Sequence, residues 1–338
     1  MSTDQPAKVK DVAARAGVSV GTVSNVLNKP ESVSPAKRTR VLAAISELGF
    51  VRNESARSLR SGSSHTVGLL VLDIRNPFFT DVAMGAEITA DDHKHAIVLA
   101  NSGESSTREA AYLDHFEEQR VQGILITPVS DVLERLDRMR SRGIPAVLVD
   151  RLADTDQFCS VSVDDTEGGR MAANHLIEAG YRRPAFVGGP MSLQQVSDRY
   201  RGASEAATAH GIPNLSRFET ADLSFVQGRL AADAIAGMAL QERPDAIFAA
   251  NDILALGLLQ SFGEHGIRVP EDIALIGFDD IDFASQSSIP LSSIRQPSRM
   301  IGQRAAELLF EEIASEPDHI HQQEVFTPEL VIRRSTQR

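Results

Sequence analysis

Between Val9 and Leu48, small and branched apolar residues recur at helical spacing in three short blocks, each bounded by a cap or turn signal. Val12, Ala13 and Ala16 share one face of a first predicted helix. Gly17 follows, at the point where a left-handed residue ends a helix most cheaply, and Val18 turns back to the core. Ser19 is an N-cap candidate for a second helix, in which Val23, Val26 and Leu27 repeat at i, i+3, i+4. Ser34 and Pro35 read as N-cap and first residue of a third helix with Val41, Ile45 and Leu48 inward.

From Thr66 the pattern changes. Short apolar runs at 66–72, 95–100, 123–127, 145–150, 159–163, 185–189, 246–250 and 273–278 predict strands. Amphipathic stretches at 107–120, 131–142, 166–180, 197–210, 226–240 and 252–265 predict helices between them. Strand and helix alternate twice, over roughly 66–160 and 161–290, which implies two doubly wound parallel sheets covered on both faces. The segment after about 291 returns to both halves. The fold class expected is an all-α helix-turn-helix head on an α/β core of two subdomains, with a ligand cleft at the carboxyl ends of the strands.

Charge separates the same two regions. The 338 residues carry a net charge of −12, yet residues 1–62 hold ten basic and five acidic side chains, leaving −17 for the remainder. A basic head on an acidic body suits a module that grips phosphates while the body stays off DNA. A single cysteine, Cys159, excludes an intrachain disulfide and fits a reducing cytosol. No apolar run reaches the length needed to span a bilayer, and the polar N-terminus lacks a signal-peptide core, so a cytoplasmic location is expected.

A helix-turn-helix unit lays its second helix in the major groove with the helix N-terminus toward base edges. The candidate DNA contacts there are Ser19, Val20, Gly21, Thr22, Ser24, Asn25 and Asn28. Asn25 suits adenine, and Val20 suits a thymine methyl. After the head, Asn53 to Leu59 can form one or two helical turns with Asn53 as N-cap, marginal unless packed or bound.

The motifs DVAARAGVSVGTVSNVLN, RNESARSLRSG, NPFF at 76–79, VDR at 149–151, HLIEAGYRR at 175–183, Arg199-x-x-Gly202, ANDILALG at 250–257 and GFDD at 277–280 stand in this order along the chain. Together they resemble the lactose/galactose-repressor family of bacterial transcription factors, from about Val9 to Ser335. The resemblance implies a head at 1–51, a hinge helix and linker at 52–64, and a core at 65–338 like that of periplasmic sugar-binding proteins. In that core, 65–162 with 292–325 form one subdomain and 163–291 with 326–338 the other. It also implies a homodimer on palindromic operator DNA, with hinge contacts from Asn53, Ala56, Arg57 and Leu59. Leu59 stands where the family wedges a leucine into the minor groove, a device that bends DNA by partly unstacking a base step.

The resemblance further maps effector contacts onto Asp73, Phe78, Asp150, Arg199, Leu223, Asn251 and Asp279. Carboxylates, a guanidinium and an amide can bind vicinal hydroxyls by paired donors and acceptors. A sugar or sugar derivative is therefore the expected effector, with a purine or nucleoside, as in co-repressed relatives, the alternative. Four departures are visible. Gly21 and Asn25 replace the usual Ala and Arg of the recognition helix, and Arg52 replaces a Pro before the hinge. Leu223 stands where many sugar-sensing relatives carry an aromatic ring, and no leucine-repeat extension follows VIRRS, which points to a dimer rather than a tetramer.

Two other functions compete. A glycosidase would use Asp150 and Asp279 as paired carboxylates, but the chain has no nucleophile elbow, P-loop or dinucleotide glycine motif, so no enzyme and no cofactor are expected. A solute-binding protein would suit the body but not the basic head. His93 with His95, and His319 with His321, have zinc-ligand spacing; both pairs sit in polar stretches and are expected to be solvated surface residues without a metal.

Overall fold

A computed structural model describes residues 7–50, 64–153, 156–315 and 318–337. The hinge candidates Asn53, Ala56, Arg57 and Leu59 lie outside the described residues. The chain forms two compact units, one up to Ser64 and one from His65 onward.

The first unit is three helices, α1 (Val9–Ala16), α2 (Val20–Asn28) and α3 (Pro35–Leu48). Gly17 is left-handed at φ 63°, and the Val18 amide closes the turn onto the Ala13 carbonyl at 3.1 Å. The Ser19 Oγ accepts from the Thr22 amide at 3.1 Å, fixing the start of α2. Val12, Val23 and Val41 meet in a core with no exposed surface. Ser34 stands at the N-cap of α3 without a side-chain cap bond, so Pro35 alone marks that start.

The second unit holds two six-stranded sheets. The first orders its strands β11-β5-β4-β3-β1-β2 and is parallel throughout. Its members are β1 (Thr66–Val71), β2 (Ala96–Asn101), β3 (Gly123–Ile126), β4 (Ala146–Val149), β5 (Cys159–Val163) and β11 (Gln323–Phe326). The second sheet orders β12-β10-β9-β8-β6-β7. It contains β6 (Pro184–Val187), β7 (Ser216–Phe218), β8 (Ala246–Ala249), β9 (Ala274–Asp279), β10 (Ser292–Arg295) and β12 (Glu329–Val331). β12 runs antiparallel to β10, and the other pairs are parallel.

The strand order reverses beside β1 in one sheet and beside β6 in the other, which is the doubly wound arrangement. The eight predicted strands all form. β7, β10, β11 and β12 were not marked by apolar runs: they are edge or near-edge strands of three or four residues, and β7, β11 and β12 are half-solvated. β10 corrects the expected subdomain boundary. It pairs with β9, so the chain passes to the first lobe after Arg295 rather than at 292. The other passages fall between β5 and the helix after it, and between β11 and β12.

Helices cover both sheets: α4 (Pro77–Asp92), α5 (Ser106–Glu118), α6 (Leu133–Arg140), α7 (Asp165–Glu178), α8 (Gln194–Ala209), α9 (Phe225–Ala236), α10 (Asp252–Glu264), α11 (Asp282–Gln286) and α12 (Ser298–Ser315). No helix among the described residues is long and apolar enough to cross a membrane.

One helix crossing bears directly on the cleft. α7 and α8 approach so closely that a Cβ on Gly202 would stand 1.8 Å from the Thr166 carbonyl oxygen, and one on Gly169 2.0 Å from that of Arg199. Two glycines thus set the seat of Arg199. Gly202→Ala should destabilise the core by about 1–3 kcal/mol, the usual range for overpacking, read as a lower midpoint in chemical denaturation; an unchanged midpoint would show that the crossing can relax.

Candidate effector cleft and DNA-reading helix

The carboxyl ends of β1, β4, β8 and β9 open into one cavity of about 210 Å³. Asp73, Phe78, Asp150, Arg199, Leu223, Asn251 and Asp279 all line it, as do Arg75, Asn76, Glu104, Gln195 and Phe225. Residues spread over 200 positions converge because each follows a strand end or opens the next helix.

Their local roles differ. Asp73 is already held by its neighbour, with Arg75 Nε donating to both carboxylate oxygens at 2.9–3.0 Å. Phe78 is buried in the first turn of α4, behind the capping Asn76, whose Oδ1 accepts from the Phe78 amide. Asn251 caps α10, its Oδ1 accepting from the Leu254 amide at 2.9 Å, and its Nδ2 donates to the Leu223 carbonyl at 3.4 Å. Arg199 reaches from α8, donating through Nε to Asp165 at 2.7 Å and through Nη1 to the Ala250 carbonyl at 2.8 Å. Its guanidinium lies 3.7 Å over the Phe278 ring and 4.0 Å from Asp279.

Asp150 and Asp279 are both nearly inaccessible. Gln195 Nε2 donates to Asp150 Oδ2 at 3.1 Å, while Asp150 Oδ1 has no donor among the described residues. Asn76 Nδ2 and Gln296 Nε2 donate to the two oxygens of Asp279 at 2.8 and 2.7 Å. Glu104 accepts from the Leu223 amide at 3.4 Å through Oε1; its Oε2 is buried without a donor among the described residues. Burial, with Asp165 next in effect, pushes the Asp150 carboxyl up to about 8. Burial also pushes Glu104 up to about 7, and Asp222 and Asp73 add to the rise. Asp279 is raised by burial against the opposing pull of Arg199.

Backbone strain concentrates here. Glu104, Asp150, Asp279 and Asp280 have φ of 58°, 56°, 108° and 55°, in the region L residues avoid. Asn76–Asp279, Gln195–Asp150 and Glu104–Leu223 each join the first lobe to the second. Glu104, Gln195 and Gln296 were not foreseen. Their partners in or near the cleft, Asn76 of the NPFF motif, Asp150, Leu223 and Asp279, did carry a sequence signal.

In the head, Val20, Gly21 and Asn25 are exposed on α2. Ser19 and Thr22 are partly spoken for, their hydroxyls 3.0 Å apart across the cap. Asn28 Nδ2 donates back to the Ser24 carbonyl at 2.9 Å. Elsewhere, His93 stacks on Phe310 with centroids 4.1 Å apart. His319 and His321, expected to be solvated, are instead half-buried and gather beside Cys159 and Glu312.

Residues 8–53 match the model of bacterial regulatory proteins of the lacI family, and residues 173–336 that of the periplasmic binding protein-like domain. The chain is 36% identical over 338 residues to the HTH-type transcriptional repressor PurR of Vibrio atlanticus (strain LGP32), covering 97% of this chain and 98% of the relative. Among solved structures, a lac repressor dimer bound to operator and the anti-inducer ONPF superposes with TM-score 0.81 at 27% identity, over 98% of this chain and 99% of the other. A complex of the transcriptional regulator CelR with cellobiose superposes with TM-score 0.70 at 31% identity, over 97% and 99%. With its three-helix head, its two-lobed core and a cleft lined by the mapped effector positions, the chain belongs to the lacI family of bacterial regulatory proteins, as a DNA-binding repressor and not an enzyme.

Proposed function

We propose that the cleft binds a polyhydroxylated effector, a sugar or sugar derivative, and that this binding sets the affinity of a homodimer for a palindromic operator. The observation that carries the reading is the pair of buried carboxylate oxygens, Asp150 Oδ1 and Glu104 Oε2, that lack donors among the described residues and line one cavity. Buried polar atoms are costly unless bonded, and sugar hydroxyls can donate to an ionised carboxyl or accept from a protonated one. A cavity of about 150 Å³ already accepts benzene, so 210 Å³ leaves room for a monosaccharide-sized ligand. CelR's cellobiose complex supports the same class.

The switch follows from the three bridges across the cleft. A ligand that inserts among Asp150, Arg199, Asn251 and Asp279 competes with or reinforces those bonds and so favours one lobe arrangement. About 1–3 kcal/mol of coupling changes DNA affinity roughly 5- to 150-fold, provided the ligand binds one arrangement better. For the dimer, edge strand β2 exposes Val98 and Leu99, while α4 exposes Met84 and Ile88. An unpaired, apolar edge of this kind calls for a covering partner. In the head, Val20 and Asn25 are the proposed base readers, assisted by Gly21, Thr22 and the capping Ser19. Asn53, Ala56 and Arg57 are proposed as hinge contacts, with Leu59 as the minor-groove wedge.

Titrating operator-bound protein with a panel of sugars and, as the competing class, purines and nucleosides tests the effector. Release or tightening by a sugar is expected, and Asp279→Ala should abolish that response. A response to purines alone would overturn the sugar reading. Leu59→Ala should weaken binding to specific operator by more than to random DNA, and equal losses would exclude the wedge. The raised carboxyls also set a pH dependence. A carboxyl whose folded pKa exceeds its unfolded value holds its proton more tightly when folded, so stability falls as pH rises from the ordinary carboxylate range and levels off above the folded value. The ligand-free core should lose stability between about pH 4 and pH 8, and Asp150→Asn should flatten that decline and stabilise the core at its alkaline end. Parallel melting curves for the variant and the parent would show this group to be uninvolved.

A further inference from the structure

At the amino-terminal edge of the first sheet, away from the effector cleft at the carboxyl edge, four metal-ligating side chains meet. Cys159 opens β5 with no exposed surface. β11 pairs in parallel with β5 at Gln323↔Ser160, which brings the residues just before Gln323 alongside Cys159. The Ser160 amide donates to the Gln322 carbonyl at 2.9 Å. His319 and His321, two residues apart in extended chain, thereby turn the same way, toward the thiol. Glu312 reaches the cluster from the last turns of α12 and is buried.

The distances are those of a coordination shell. Cys159 Sγ lies 3.2 Å from His319 Nε2 and 3.7 Å from His321 Nδ1. His321 Nδ1 lies 3.8 Å from Glu312 Oε2, and one ligand atom from each of the four residues falls within 4.8 Å of all the others. Bonds of about 2.0–2.3 Å in a tetrahedron separate ligand atoms by about 3.3–3.8 Å, so two of the contacts need no rearrangement and the Cys159–His319 contact need only lengthen slightly. We propose that Cys159, His319, His321 and Glu312 bind one Zn²⁺ ion.

The donor set selects the metal. A thiolate with two imidazoles disfavours magnesium and calcium, which prefer all-oxygen shells, and four donors without an open position make a structural site. One thiolate and one carboxylate also neutralise the ion, which suits a buried location. One neighbouring group supports this reading and one must shift. The Gln322 amide donates to Cys159 Sγ at 3.3 Å, a contact that supports a metal-bound thiolate. Arg140 Nη1 stands 3.0 Å from His321 Nε2. Ligation through Nδ1 leaves the ring proton on Nε2, so Arg140 gives up this contact on metal binding and keeps the Gln157 carbonyl and Asp137, each at 2.6 Å. The ion ties β5, α12 and the approach to β11 together, three segments drawn from the middle and the end of the chain.

Cobalt titration of the chelator-treated full-length protein tests the site, because Cys159 is the sole cysteine and any thiolate-to-metal band belongs to it. One equivalent of Co²⁺ should produce a thiolate charge-transfer band and the strong visible bands of a tetrahedral centre, and one equivalent of Zn²⁺ should bleach both. Zn²⁺ should also protect the thiol from alkylation and raise the melting temperature. His319→Ala changes a half-exposed residue and leaves the fold intact; it should weaken Zn²⁺ binding by more than about tenfold. Cys159→Ser should remove the charge-transfer band. A parent protein that shows no such band, or a His319→Ala variant that binds Zn²⁺ as tightly as the parent, would overturn the proposal.

Discussion

Arg199 is a buried ion in the wall of the cleft, and the cleft is organised around stabilising it. A lone guanidinium in such a place would be prohibitive. Here it is bonded to Asp165 and the Ala250 carbonyl, laid over Phe278 and brought near Asp279. Each partner sits at the end of a strand or the start of a helix, so placing the charge also fixes where β8, β9, α7 and α8 meet. The glycine crossing of α7 and α8 serves the same end, since any side chain at Gly202 would push the Arg199 helix outward.

The acidic residues around this cation are more numerous than one positive charge can balance, and the imbalance has a functional meaning. Asp150 and Glu104 keep oxygens that no described group satisfies, on backbone that L residues disfavour. Strain and unmet hydrogen-bonding capacity accumulate where the protein waits for a partner, and a ligand can then relieve them in one lobe arrangement more than another. Asp252 illustrates the contrasting structural case: equally buried, it accepts from the Ser293 hydroxyl and the Ile281 amide and holds the turn beyond Asp279 in place.

The amino edge of the first sheet shows that the same topology builds two unlike sites. Parallel strands gather loop residues at the carboxyl edge for the effector, and at the opposite edge they gather Cys159, Glu312, His319 and His321. The first set joins the lobes and is polar and strained. The second lies within one lobe and joins segments far apart in sequence, two of which meet as neighbouring strands of the sheet.

Much of this was legible in the amino-acid order. The helix caps at Gly17 and Ser19 act through neighbours a few residues away, so local chemistry determined them. The buried strands announced themselves as short apolar runs because both of their faces are covered. The mapped positions from Asp73 to Asp279 all reached one cavity, since each is tied to a strand end that the α/β alternation already located. What remained hidden depends on contacts across long separations. β7, β11 and β12 carry too little apolar surface to signal, and β10 reads as polar until Ser292 and Ser293 are seen buried against β9. Gln195 and Glu104 look like ordinary helix and loop residues until the lobes bring them to Asp150 and Leu223. His319 and His321 read as solvated because the stretch around them is polar apart from Ile320; only the pairing of β11 with β5, across some 160 residues, turns them toward a thiol. Local order determined the elements and their ends, and the lobes' closure decided which polar groups would be left facing one another without water.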